Sequence, residues 1–443
     1  MKIIFLLQLL LPILGSCFLN TFSADNSSCS ASLVESIPEN LTYPIFSISH
    51  QSTYKALANL IEMASHTIEI ASFYWTLRGI DIYSDPSAWQ GEDIFKRLII
   101  AGRNRSISLR IVQNIENTRQ PNEDTRILTK DAFAKVRSLN MTKFMGSGIL
   151  HTKMWLVDRT HFYIGSANLD WRSLTQVKEL GAVIYNCPTL ANDMGKLFDV
   201  YWYMAAADSI PKPWPKEYST KINSKTPLQL GLNDTKYDIY LSSSPPPFCA
   251  DGRTVDIDAI LKIINSAKKF VYIAVMDYSP AIVFSYPSVY WPVIDNALRN
   301  VSFTKGVKIR LLGSSWAHTK PSMFNYLNSL QALNGAKKAD IQVKMFHVPA
   351  FTPDQEDIPF ARVNHNKYMV TDSTGYIGTS NWSGDYFIST AGLGLIFKPS
   401  KVQQSGDLRQ HCYLSFFPYF LSLSILSLSF PPFSILSLSE NSV

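Results

Sequence analysis

The polarity pattern along the chain changes period several times, and it does so twice in the same order. Residues 56–75 (ALANLIEMASHTIEIASFYW) begin with apolar positions at helical spacing, then pass into an alternating, β-branched stretch through Ile68 and Ile70. Residues 259–278 (AILKIINSAKKFVYIAVMDY) repeat that course, with Val271 and Ile273 in the strand-like part. Residues 108–112 (SLRIV) and 308–312 (KIRLL) both read as strands. Each half then reaches a strand that opens with His-x-Lys: residues 151–158 (HTKMWLVD) and 365–372 (HNKYMVTD). YIGSAN, ending at Asn168, follows the first, and YIGTSN, ending at Asn381, the second. Landmarks recurring in one order predict an α/β fold built from two copies of one domain.

The length, 443 residues, agrees with two domains rather than one core. A Pro-rich stretch at 210–225 and SSSPPP at 242–247 punctuate the middle. They predict a first domain over 30–207, a linker over 208–242 and a second domain over 243–400. From Cys412 onward the chain is a Leu/Ser/Phe tract without charge until Glu440, so 401–443 reads as an atypical tail outside the fold. A membrane anchor there is the other reading, but Pro431 and Pro432 would break its helix.

The net charge of +6 permits an anionic partner without demanding one. Lys2, the apolar run from Ile3 to Leu14 and then Gly15-Ser16-Cys17 form the layout of a signal peptide over residues 1–17, with an uncleaved signal anchor as the alternative. Sequons begin at Asn26, Asn40, Asn104, Asn140, Asn233 and Asn300, which suits a glycosylated product of the secretory pathway. Asn381 also heads a sequon, but its place beside the motif predicts burial. Cysteines at 29, 187, 249 and 412 contain no C-x-x-C, which argues against zinc.

In a strand, residues i and i+2 share a face about 7 Å apart. His151 therefore projects with Lys153, and His365 with Lys367. An imidazole can attack phosphorus or move a proton, and an ammonium beside it can hold phosphate oxygens as charge develops. Asn168 and Asn381 can donate to the same oxygens. Asp158 and Asp372 fall on the opposite parity, where they brace a turn. One half supplies one imidazole, whereas cleavage through a covalent intermediate needs a nucleophile and an acid. Two copies, paired about a pseudo-twofold axis, would make one shared site.

These motifs resemble the phospholipase D superfamily, with its two His-x-Lys-x-x-x-x-Asp signatures. Residues 33–37 (LVESI), 71–76 (ASFYWT), the run 151–181, 243–249 (SSPPPFC), and the segments ARVNHNKYMVTD and YIGTSNWSGDYF within 361–387 resemble, more narrowly, its animal lysosomal branch of 5′-to-3′ single-strand exonucleases. The resemblance implies a bilobed fold, no metal or other cofactor, a phosphohistidine intermediate and release of nucleoside 3′-phosphates at acidic pH. It carries catalytic roles to His151, Lys153, Asn168, His365, Lys367 and Asn381. We read His365 as nucleophile and His151 as acid, with Glu179 placed to orient an imidazole across the interface. Of the aromatics near the motifs (Tyr74, Trp75, Trp155, Trp171, Trp316, Trp382), Tyr74 and Trp75 are the preferred pair for stacking on bases. The resemblance also pairs Cys29 with Cys187.

Two departures from that branch stand out. The apolar run begins at residue three, which favours a lumenal, lysosomal or secreted product over a type II membrane protein associated through that run. The resemblance ends near Lys398, before the terminal helix and final cysteine of the branch, leaving Cys249 with only Cys412 as a substitute partner. The substrate expectation is single-stranded nucleic acid, with phospholipid as the alternative. An inactive lumenal protein with an incomplete second domain is the non-enzyme reading. Oligomeric state is not legible.

Overall fold

The computed structural model describes residues 29–42, 48–117, 121–401, 407–421 and 425–427. The signal segment at 1–17 and the sequon at Asn26 lie outside them, as does most of the tail. No helix among the described residues is long and apolar enough to cross a membrane.

Two sheets carry the repeat. The first runs, edge to edge, Gln51–Ser52, Ser30–Ser36, Glu179–Tyr185, His161–Gly165, Lys153–Val157, Thr67–Ser72, Ser108–Asn114, Lys135–Leu139. The second contains Thr235–Ser244, Gly392–Pro399, Gly375–Gly378, Lys367–Thr371, Phe270–Val275, Lys308–Ser314, Asp340–Phe346 in the same relative order, with Leu228–Leu232 and Ile425–Ser427 at its edges. The helix of each leading repeat segment forms as its spacing predicts. Thr53–Met63 starts at Ser52, whose side chain accepts from the Lys55 N–H, and it buries Ala56, Leu57, Leu60 and Ile61. Asp256–Ser266 buries Ala259, Ile260, Ile263 and Ile264.

Strand alternation sorts side chains between cores. Met154 and Leu156 face a core shared by both halves, while Trp155 and Val157 face the first half's own helices. Tyr368 and Val370 likewise enter the shared core, and Met369 the second half's own. The two sheets therefore meet through one apolar layer, which also takes the helix Pro188–Met204. A buried ion pair crosses it: Arg253 donates to Asp193 at 2.6 and 2.9 Å.

Two sequence boundaries need correction. The proposed linker 208–242 contains Leu228–Leu232 and most of Thr235–Ser244, both strands of the second sheet. Alternating Tyr237, Ile239 and Leu241 place that strand in the shared core, a signal hidden by the flanking Ser/Pro punctuation. The tail reading also fails in part, because Leu408–Leu421 is a helix. Leu408, Cys412, Phe416 and Phe420 recur every fourth residue and are buried in the shared core. Low-complexity composition masked that stripe. The second domain thus has a packed C-terminal helix, and the reading as an incomplete, inactive domain loses its basis. Cys249 and Cys412 are both free thiols, whereas Cys29 and Cys187 form a disulfide.

Candidate active site

The two His-x-Lys segments are held by each other's half. The His151 N–H donates to the Ala391 carbonyl at 2.9 Å, and the His365 N–H donates to the Lys178 carbonyl at 2.8 Å. Gly148 allows the first approach. Its φ is +89°, and a Cβ there would lie 2.1 Å from the Ser389 carbonyl oxygen of the opposite half. Past each strand the aspartate closes a turn. Asp158 accepts from the N–H groups of Ser65, His66 and Thr67, and Asp372 from those of Lys268, Lys269 and Phe270. Neither lines the cavity that the two histidines share, as parity predicts.

His151, Asn168, Glu179, His365 and Asn381 line one cavity of about 710 Å³, within the usual range for a small-molecule site. Its walls include Phe73, Tyr74, Asp170, Arg172, Asp277, Trp316, Phe360 and Tyr386. The imidazoles are held differently. Both Glu179 carboxylate oxygens lie 2.9 Å from His365 Nδ1, so that nitrogen donates and Nε2 carries the lone pair. His151 Nδ1 faces only the Thr379 carbonyl, at 2.8 Å. Sheet register explains the difference. Glu179 pairs with Ser36 in the first sheet, and Gly392 pairs with Ser244 at the matching place in the second. A Cβ on Gly392 would lie 2.2 Å from Ser380 Oγ, so a side chain there would have to displace that hydroxyl.

The lysines do not line the cavity. Lys153 Nζ donates to the His151 carbonyl at 2.6 Å and Lys367 Nζ to the His365 carbonyl at 2.7 Å, leaving each ammonium further donors. Asn168 donates to the Tyr74 hydroxyl at 3.3 Å, while Asn381 donates to Asp277 at 2.9 Å and to the Tyr386 hydroxyl. Both asparagines leave Oδ1, an acceptor, buried without a protein partner, while Asn168 has one amide hydrogen left to donate and Asn381 has committed both. Asn381 is buried, as its place predicted, while Asn40, Asn104, Asn233 and Asn300 are exposed.

Crowding of cationic groups away from water sets the proton affinities. Burial, then Lys153, Lys367 and His365, push the His151 imidazole well below its ordinary value. Burial also lowers His365, with Glu179 pulling the other way. Lys367 falls to about 7 through burial, partly offset by Glu179 and Asp277, and Lys153 falls well below an ordinary ammonium. A bound phosphodiester would restore charge balance.

Among the aromatics singled out from sequence, Tyr74 and Trp316 line the cavity. Trp75 does not: it is a buried core residue, 1% exposed, with Trp155, Trp171 and Trp382 similarly enclosed. Trp75 begins a short strand, so its parity turns it away from Tyr74 and into the first half's core. Asp277 was missed, although the repeat alignment sets it opposite Tyr74. The Asp170–Arg172 ion pair, which also accepts the Tyr74 hydroxyl, was missed inside a run read only as a signature. Among the described residues no group of three or more His, Cys, Asp or Glu is placed to hold a metal.

The family model of the PLD3/4, PLD-like domain matches residues 46–351, more than half of the chain. The chain belongs to the PLD3/4 family. Its relatives include the 5′-3′ exonuclease PLD3 of Xenopus laevis, 51% identical over 87% of this chain and 78% of that protein. PLD3 of Homo sapiens is 49% identical over 83% and 75% of the two chains, and the 5′-3′ exonuclease PLD4 of Mus musculus 45% over 84% and 73%. A crystal structure of phosphatidylserine synthase from Haemophilus influenzae shares the fold, with a TM-score of 0.56 over 85% of each chain at 12% identity. As a PLD3/4 family member the chain is a phosphodiesterase of the phospholipase D superfamily, with two domain copies facing one cavity.

Proposed function

We propose that this phosphodiesterase removes nucleotides from the free 5′ end of single-stranded DNA or RNA through a phosphohistidine on His365. The observation that carries the mechanism is the asymmetry of the imidazoles: only His365 has a carboxylate on Nδ1. When His365 Nε2 bonds to phosphorus, the ring gains positive charge, and Glu179 is placed to stabilise it. The P–O5′ bond to the rest of the strand breaks, and the departing oxygen takes the His151 proton. A depressed imidazolium is a strong acid, which suits that role. Water then attacks phosphorus, gives its proton to His151, and releases a nucleoside 3′-phosphate with His365 restored. Lys153 and Lys367 add positive charge behind the two imidazoles, Asn168 has one amide hydrogen left for a non-bridging oxygen, and Asn381 holds Asp277 and Tyr386 at the cavity wall. The nucleic-acid substrate rests on the names of the PLD3 and PLD4 relatives.

The test is a 3′-labelled single strand at acidic pH in EDTA, with a free or blocked 5′ end and phosphatidylcholine in parallel. Stepwise shortening of only the free form is expected. Turnover of phosphatidylcholine alone would replace this reading with a phospholipase. The signal-like N-terminus and exposed sequons support a glycosylated lumenal or secreted product. N-terminal sequencing that found Met1 on the mature protein would contradict cleavage.

A further inference from the structure

The hairpin formed by Ala281–Ile282 and Val289–Tyr290 leaves its large apolar side chains in water. Phe284 is 43% exposed, Val289 51%, Tyr290 70% and Tyr286 fully so. Residues 281–290 (AIVFSYPSVY) carry no charge. Such a cluster marks a contact surface more often than an idle loop. The hairpin is also anchored. Asp385, fully buried, accepts from the N–H groups of Val283 and Phe284 at 2.7 and 2.8 Å, and Trp291 stacks on Phe387. Asp385 and Phe387 belong to the short helix Gly384–Ile388, which follows Asn381 closely in the chain.

An aromatic path joins this surface to the catalytic cavity. Phe284 meets Tyr386 edge-on at 5.6 Å between ring centroids, and Tyr386 meets His151 edge-on at 5.0 Å. We propose that hairpin 281–290 is a stacking platform for the bases downstream of the scissile phosphate. The inference rests on the exonuclease reading with His151 as acid. The oxygen protonated by His151 carries the remaining polymer, so the strand leaves the chemistry beside Tyr386 and runs onto the hairpin. Aromatic faces accept any base, which gives an exonuclease a grip without sequence preference. Tyr286 and Tyr290 lie outside the cavity lining and serve only substrates that possess a downstream strand.

The test compares a single-stranded oligonucleotide with thymidine 3′-(4-nitrophenyl phosphate), which has no downstream bases. Replacing Tyr286→Ala and Tyr290→Ala together should raise KM for the oligonucleotide at least about fivefold and leave the ester unaffected. Tyr286→Phe with Tyr290→Phe should retain wild-type KM, because the rings remain. Fluorescence anisotropy of the oligonucleotide on a His365→Ala background should show the same weakening without turnover. Unchanged oligonucleotide binding overturns the proposal. Accompanying loss of binding to phosphatidylcholine vesicles would then assign the hairpin to lipid, and a fall in sedimentation mass to a second copy of this chain. A wild-type protein that hydrolyses the ester but not the oligonucleotide would sink the exonuclease reading instead, while the anisotropy still decides the hairpin.

Discussion

Glu179→Gln isolates the carboxylate that distinguishes the two imidazoles. The substitution keeps side-chain size and removes one buried charge, so the fold should survive it. A hydrogen bond to a charged group contributes about 1.5–3 kcal/mol and a neutral one about 0.5–1.5, so the exchange costs the ring about 1–2 kcal/mol. The full charge–charge attraction at about 4 Å is roughly 4 kcal/mol in a partly screened interior, which bounds the electrostatic loss. These limits correspond to a fall in kcat/KM of about fivefold to about a thousandfold. A larger loss, toward about ten-thousandfold, follows if the Gln amide donates to Nδ1 and forces the proton onto Nε2, as a wrong tautomer does in a Ser-His-Asp triad. The assay is hydrolysis of thymidine 3′-(4-nitrophenyl phosphate) across pH, with a thermal melt of the same sample. A variant that melts like the wild type and keeps kcat/KM within about twofold would remove Glu179 from the mechanism.

Three further outcomes follow from the same geometry. Burial and neighbouring cations lower both imidazoles below the ordinary value near 6.5, and turnover needs one neutral and one protonated. Thus kcat/KM should form a bell centred below about pH 6.5 and fall as the second proton leaves; a pH–rate profile still rising toward pH 8 would contradict this. His151→Ala should slow oligonucleotide cleavage by about a hundredfold or more yet spare the first burst of 4-nitrophenolate from the ester, whose leaving group needs no proton, with later turnover stalled because no base activates water; His365→Ala should abolish burst and turnover alike, and the reverse pattern would exchange the roles. Asp193→Ala leaves Arg253 buried and unpaired between the halves, both side chains being 2% exposed, and should cost about 3–5 kcal/mol in guanidinium unfolding; a loss under about 1 kcal/mol would show that the pair does not join the halves.

Local pattern reached far in this chain. The helix-then-strand period identified Thr53–Met63 with Thr67–Ser72 and Asp256–Ser266 with Phe270–Val275, because burying one face imposes that period. It faltered where composition obscured period. The strand Thr235–Ser244 hid beside prolines, and the stripe Leu408, Cys412, Phe416, Phe420 hid in a Leu/Ser tract. Trp75 shows a different limit: proximity in sequence to Tyr74 placed it near the site, while strand parity buried it.

By itself the sequence determined the repeat, the family resemblance and the residue types of the site, since these reside in order and spacing. The sequence offered Glu179 as a partner for an imidazole across the interface, and only the tertiary structure set it on His365 Nδ1 and left His151 Nδ1 a carbonyl. Glu179 and Gly392 hold matching registers in the two sheets, and only the first carries a side chain. His365 thereby faces a carboxylate and His151 a carbonyl, each supplied across the interface by the other half. Such a contact joins residues far apart in the chain, so its geometry is set by how the two halves pack.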